Sequence, residues 1–285
     1  MRYPITWLDV FTSTPLTGNQ LAVVHDADGI DDATMLAFAR ETRLSETTFV
    51  QAPTQAGADY RNRIWTMPAE ITFAGHPSLG TAVAVARARG ERSATYVQQT
   101  RAGRQPVEVR LDGDTAARAS MLQEPPRFGP EPSPAEVMAA AGLTARDAHP
   151  DLPPQVVSTG MAQLLAPLRD ETTLERVAPE PAALRALLES FDALVLFLAV
   201  VGPDAGAARA RGFFLGVDGV VEDPATGSAS GPLLAYLHER VGTQSLTVRQ
   251  GEEIGRPSRI DCTWADDRPR VAGDVVVVAD GHVWL

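Results

Sequence analysis

The chain has 285 residues, enough for one large domain or two of ordinary size, and its 44% hydrophobic content suffices for packed cores. A formal net charge of -11 argues against the clustered Lys and Arg that a nucleic-acid or anionic-membrane surface requires, and favours a small-molecule ligand. The start of the chain lacks a charged n-region followed by an apolar h-region. The longest apolar run, Leu194 to Val201, is far too short to span a bilayer, and the single Cys262 excludes an intramolecular disulfide framework, so the reading is a cytoplasmic globular protein.

Alternating apolar residues predict strands over Ile5 to Val10 and Leu21 to Val24, and Asp31 caps a helix predicted over Asp32 to Thr42. Glu46, in L-S-E-T-T-F-V, falls where that helix ends and a strand over Thr47 to Val50 begins. A strand over Tyr60 to Trp65 follows. The stretch F-A-G-H-P-S-L-G-T-A-V-A-V-A, Phe73 to Ala86, sets Gly75 and His76 before Pro77, then small residues, then an Ala/Val-rich helix over Leu79 to Arg89. After a strand over Val107 to Leu111, residues 124 to 134 carry five prolines, which deny the segment a sheet ladder or helix interior and mark a linker dividing the chain almost in half.

Beyond the linker, Ser133 and Pro134 start a helix over Pro134 to Ala141, followed by a strand over Val156 to Ser158, a helix over Pro181 to Leu188 and a strand over Leu194 to Val201. V-E-D-P-A-T-G-S-A-S-G, residues 221 to 231, then repeats the plan of the first half. Asp223 stands before Pro224, small residues leave the backbone uncovered, and a helix over Gly231 to Arg240 opens with P-L-L-A-Y-L-H. A last strand, Val275 to Ala279 with Val283 to Leu285, is free to pair with either half. The class is α+β, and two strand, loop and helix units on opposite sides of the linker suggest duplicated halves.

Helix starts of this kind present free N–H groups that receive a carboxylate or phosphate. Taken singly, Glu46 reads as a surface glutamate, Asp223 as a turn former, and His76 and Ser228 as helix caps. Together they supply a carboxylate base, a second acid, an imidazole and two anion-binding helix starts, the parts needed to move a proton on carbon beside a carboxylate. His25 and His149 fall in loops, His238 and His282 read as surface or packing residues, and Cys262 reads as a sheet residue. With no zinc-like His/Cys spacing, no G-x-G-x-x-G and no P-loop, no metal or organic cofactor is expected.

Six motifs carry a resemblance to the PhzF-like family, named for phenazine biosynthesis, within the wider diaminopimelate epimerase-like fold. They are D-V-F-T-S-T-P-L-T-G-N-Q-L-A-V-V at 9 to 24, L-S-E-T-T-F-V at 44 to 50, F-A-G-H-P-S-L-G-T-A at 73 to 82, S-T-G at 158 to 160, E-D-P-A-T-G-S-A at 222 to 229, and Q-G-E-E-I-G-R-P-S at 250 to 258. The resemblance implies two similar domains, each a strongly curved, mostly antiparallel sheet or barrel around a central helix. They would span residues 1–123, with 271–285 able to complete the first, and 124–270. It further implies a homodimer and a cofactor-independent isomerase of the trans-2,3-dihydro-3-hydroxyanthranilate isomerase type acting on a small carboxylated substrate. Glu46 would be the general acid/base, with His76 and Asp223 as catalytic partners meeting in a shared cleft. Asn19, Ser45, Gly75, Gly227 and Ser228 would bind substrate. Thr226 and Ser228 stand in the loop where epimerases of this fold carry a thiol, which disfavours a two-thiol racemase. The chain departs from the family at Gln20, where many relatives read Gly-Asn-Pro, and at Ala162, where many read Thr-Gly-x-Pro. Two alternatives remain open: an epimerase or racemase of an amino-acid-like substrate, with Glu46 and Asp223 serving opposite faces of one carbon, and a non-catalytic carboxylate-binding protein.

Overall fold

The computed structural model describes residues 1–217 and 219–285. In chain order its elements are β1 (Arg2–Val10), β2 (Asn19–Val24), α1 (Asp32–Thr42), β3 (Thr47–Gln51), β4 (Tyr60–Trp65), β5 (Glu70–Ile71), α2 (Gly75–Arg89), β6 (Ser93–Thr100), β7 (Gly103–Leu111) and β8 (Ala116–Leu122). They continue as β9 (Arg127–Phe128), α3 (Pro134–Ala140), β10 (Gln155–Ser158), β11 (Ala162–Pro167), α4 (Glu171–Glu175), α5 (Pro181–Ser190), β12 (Val195–Val201), β13 (Ala207–Gly216), β14 (Gly219–Asp223), α6 (Gly227–Val241), β15 (Ser245–Gln250), β16 (Ser258–Ala265) and β17 (Arg268–Trp284). The chain forms two units, residues 1–121 with 272–285, and residues 122–271.

In the first unit the ladders close on themselves. β1 pairs with β2, β2 with β3, β3 with β4, β4 with β6, β6 with β7, β7 with β8, β8 with β17 and β17 with β1. The result is an eight-stranded barrel with no free edge in the ring, which removes the pairing liability of an open sheet. Inside it runs α2, whose residues are buried without interruption from His76 to Ala86 and which touches β1, β2, β3, β4, β6 and β7. A helix apolar on every side belongs in a core, and small side chains let strands approach it. A Cβ on Gly80 would fall 2.6 Å from Leu21 Cδ2 and 3.0 Å from Val10 Cγ2. Outside the barrel α1, capped by Asp31 accepting from the Thr34 N–H at 2.8 Å, packs Met35 and Ala39 in one apolar cluster with Phe49 and Trp65.

The second unit repeats this wiring. β10–β11, β12–β13, β13–β14 and β15–β16 are antiparallel while β11–β12 and β13–β15 are parallel, matching β1–β2, β3–β4, β4–β5, β6–β7, β2–β3 and β4–β6 in turn. Each unit threads a 15-residue helix, α2 or α6, between the fifth and sixth strands of the series. Both helices end at a glycine in the left-handed region, Gly90 at φ 71 and Gly242 at φ 76. Residue identities follow suit. Glu70 and Gly75 correspond to Glu222 and Gly227 at equal spacing, and Ser78 and Ser230 each donate to the carbonyl of the residue before the helix, Ala74 at 2.7 Å and Thr226 at 3.0 Å. On the neighbouring strand, Arg63 lies over Trp65 and bonds Glu70, while Arg211 lies over Phe213 and bonds Glu222.

Three sequence expectations are corrected. The two central helices begin one turn earlier than expected, at Gly75 and Gly227 instead of Leu79 and Gly231. Pro77 falls within the first turn, where a missing N–H is harmless, and Pro232 is accommodated inside α6 although it leaves the Ser228 carbonyl without its i+4 donor. The proline-rich stretch does carry a short ladder, β9 on β10, through Arg127 and Phe128. The two terminal strand segments are one continuous strand, β17, whose pairing with β1 from Arg2↔Trp284 to Val10↔Val275 tolerates one irregularity at Trp7/Leu8.

Candidate active site

In the first unit, α1 stops at Arg43, which takes the left-handed conformation at φ 53, and the chain turns so that Glu46 immediately precedes β3. His76 is the second residue of α2, after Gly75, and is buried. Helix and strand therefore bring the two together, with His76 Nε2 at 3.5 Å from Glu46 Oε2 and side-chain exposures of 7% and 17%. Burial pushes the His76 imidazole down to about 3, opposed only in part by a hydrogen bond to the backbone carbonyl of Gln20. The ring is neutral at physiological pH, so its contact with Glu46 is not an ion pair. A neutral imidazole oriented by a main-chain carbonyl can pass or hold a proton beside a carboxylate.

Using the Gln20 main chain has a consequence for the departure at that position. A proline there would keep its carbonyl, so the contact to His76 does not depend on which side chain follows Asn19. Asn19 is buried at the start of β2, and Ser45 Oγ lies 3.5 Å from its Oδ1, a long contact. The preceding loop is built by the motif itself. Asp9 Oδ2 accepts from the Leu16 N–H at 2.6 Å, and Gly18, at φ +68, has no room for a Cβ, which would meet the Val10 carbonyl at 2.5 Å.

In the second unit, Asp223 ends β14, and Gly227 and Ser228 are the first two residues of α6. Thr226 Oγ1 donates to Asp223 Oδ2 at 2.7 Å. Gln163, buried on β11, reaches Ser228 Oγ at 3.5 Å, and Gln123 Nε2 donates to the Gly227 carbonyl at 3.0 Å while accepting from Thr159 Oγ1 at 2.6 Å. Residues of two motifs thus act as buttresses. Thr159 of S-T-G fixes Gln123, and Q-G-E-E-I-G-R-P-S holds the Asp223 loop through Gln250 and through Ser258 Oγ, which donates to the Pro224 carbonyl at 2.8 Å. Gln123, Gln163 and Gln250 have no place among the residues predicted from sequence. Glutamine carries no charge signal, and only the motif around Gln250 pointed near any of them.

The residues read as bland from sequence are structural here. Buried His25 is bonded to Thr6 Oγ1 at 3.0 Å, His149 Nδ1 accepts the N–H groups of Asp151 and Leu152 at 3.1 Å, and His238 stacks on Trp264 with ring centroids 4.0 Å apart. Burial pushes the Cys262 thiol far up, so it is no nucleophile. A groove at the C-terminal end of α2, lined by His25, Asp59, Tyr60, Arg87 and Asp280 among others, includes none of the predicted site residues.

Comparison with known proteins decides the family. The profile of phenazine biosynthesis-like proteins, PhzC-PhzF, matches residues 8–281. The chain belongs to this family. Trans-2,3-dihydro-3-hydroxyanthranilate isomerase of Pseudomonas aeruginosa is 38% identical over 100% of this chain and 99% of its own length, and an uncharacterized isomerase of Escherichia coli is 31% identical over 98% and 97%. Among solved structures, a predicted epimerase from Pseudomonas aeruginosa superposes with a TM-score of 0.86 at 34% identity, covering 99% of both chains. A Bacillus anthracis protein of the PhzF family gives 0.86 at 27%, covering 100% of both. A probable proline racemase from Agrobacterium radiobacter, at 12% identity and a TM-score of 0.66, shares the fold alone. The PhzF-like chain is accordingly an isomerase on the wider diaminopimelate epimerase-like fold. Among its described residues no helix is long and apolar enough to cross a membrane.

Proposed function

We propose that this PhzF-like isomerase shifts a proton, and with it a double bond, in a small carboxylated metabolite, with trans-2,3-dihydro-3-hydroxyanthranilate as the first compound to test. The observation that carries the reading is the Glu46 carboxylate beside a buried, neutral His76 at the N-terminus of α2. A Glu46 oxygen takes a proton from an sp³ carbon next to the substrate's double bond, and the C–H electron pair becomes the new double bond. The old π pair moves to its far carbon, which takes a proton back from the Glu46 carboxyl, so atoms and electrons balance. His76 orients the carboxyl group, Asp223 serves as the second proton-handling group, and N–H groups at Gly75 and Gly227 with Ser228 and Asn19 hold the substrate's polar ends. Ser45 is proposed to help fix Asn19. No metal or organic cofactor is required, and the assembly is proposed to be a cytoplasmic homodimer.

The test is Glu46→Gln, which keeps the size of the side chain and removes its base. Turnover of trans-2,3-dihydro-3-hydroxyanthranilate, followed by NMR, should fall at least about 100-fold while binding survives. Near-normal turnover by the variant would reject Glu46 as the proton carrier. Product stereochemistry and the position of deuterium acquired in heavy water separate a double-bond shift from inversion at one carbon.

A further inference from the structure

At the start of α6 a chain of hydrogen bonds has its direction forced by the groups at its ends. Gln250, the last residue of β15, is 1% exposed. Its Oε1 accepts from the Thr226 backbone N–H at 3.0 Å and its Nε2 donates to the Asp223 backbone carbonyl at 2.7 Å. A backbone donor on one side and a backbone acceptor on the other fix which end of the amide is oxygen. The same Nε2 reaches Thr226 Oγ1 at 2.9 Å, so the threonine hydroxyl is an acceptor there. A hydroxyl has one proton to give, and that of Thr226 goes to Asp223 Oδ2 at 2.7 Å. Thr226 is itself only 4% exposed, and Gly212 supplies the space for it, since a Cβ at that position would fall 2.6 Å from Thr226 Oγ1.

A turn-forming aspartate needs only a nearby backbone N–H, whereas Asp223 receives a hydroxyl already saturated by a buried amide. We propose that Thr226 and Gln250 are positioning residues that pin Asp223 Oδ2 as an obligatory hydrogen-bond acceptor and so fix the orientation of the Asp223 carboxylate. The proposal rests on the reading of Asp223 as a proton-handling group. Fixing one oxygen keeps the carboxylate from rotating during proton transfer. An O–H donated to a carboxylate at this distance is a charge-assisted bond, about twice as strong as a neutral one.

Two measurements test it. Neutron diffraction from deuterium-exchanged crystals should place the Thr226 deuteron on the line to Asp223 Oδ2 and the two Gln250 amide deuterons on the Asp223 carbonyl and Thr226 Oγ1. A Thr226 deuteron directed at Gln250, or a deuteron resident on Oδ2, overturns the proposal whether or not a substrate is turned over. In kinetics with trans-2,3-dihydro-3-hydroxyanthranilate, Thr226→Val, which keeps the shape and removes the hydroxyl, should lower kcat at least about 10-fold with KM changed less than about 3-fold, and Thr226→Ser should restore kcat. If Asp223→Asn is inactive while Thr226→Val keeps wild-type kcat, the positioning role alone fails. If Asp223→Asn itself turns over at the wild-type rate, the reading of Asp223 fails and takes the positioning role with it.

Discussion

At the scale of single residues, His76 links the site to stability. Burial holds its imidazole at about 3 against an ordinary 6.5, so between those values the unfolded chain binds a proton that the native chain does not. Unfolding free energy therefore rises with pH across this window and is lost as pH falls from about 6.5 toward 3, at up to about 1.4 kcal/mol per pH unit. His25, also pushed down by burial, acts in the same direction. The expected outcome is that His76→Asn flattens the decline in stability between pH 6.5 and 4, measured by urea unfolding at a series of pH values. An undiminished slope would mean that the ring is not the group refusing the proton. For the same reason no limb of the pH–rate profile near 6.5 should disappear in that variant.

At the scale of elements, each short strand that leads into a central helix is tied to its neighbour by a buried arginine–carboxylate pair. Arg63 and Glu70 are bonded at 2.7 Å with exposures of 8% and 9%, and Arg211 and Glu222 at 2.7 Å with 9% and 11%. Removing Glu222 leaves the buried Arg211 guanidinium without its carboxylate, so Glu222→Gln should cost about 3–5 kcal/mol in equilibrium unfolding, whereas Glu70→Gln should cost less because Arg63 keeps Asp32 at 2.9 Å. A loss below about 1 kcal/mol in Glu222→Gln would show that water reaches the pair. The Asp223 loop depends as much on backbone as on side chains. Gly251 sits at φ +80 with a would-be Cβ 2.6 Å from the Pro224 carbonyl and in collision with the Arg256 carbonyl. Gly251→Ala should cost about 1–3 kcal/mol of strain and reduce kcat by displacing Asp223, whereas the same change at Gly242, where nothing lies within 4 Å, should spare kcat.

At the scale of the molecule, the first barrel is closed by the far end of the chain. β17 leaves the second unit after Val271 and inserts between β8 and β1, and the Leu285 N–H bonds the Met1 carbonyl at 3.0 Å. Without residues 272–285 both β1 and β8 would present open edges, so residues 1–121 expressed alone should fail to give a cooperative thermal transition and should associate. Fusing 272–285 ahead of Met1 through a short linker should restore the transition, and its absence in that fusion would show that barrel closure is not what the fragment lacks. Pairing of β1 with β17 across nearly the whole sequence also predicts slow folding, observable as a late phase in refolding.

Much of this was written locally. Strand Tyr60–Trp65 and helix Asp32–Thr42 have the limits that alternation and the Asp31 cap predict, whereas the small residues and prolines signalled a helix start near Gly75, His76, Gly227 and Ser228 but set it one turn too late. Glu46 was legible as a carboxylate at an element end, and the motifs were legible as a family. Tertiary structure alone decided that Glu46 faces a neutral His76, because burial depends on the barrel wall around α2, and that β17 belongs chiefly to the first unit, because an alternating strand carries no record of its partner. It also decided the work of Gln123 and Gln250. An amide has no charge or periodicity by which a sequence announces it, and its function exists only when distant segments bring a donor and an acceptor to its two ends.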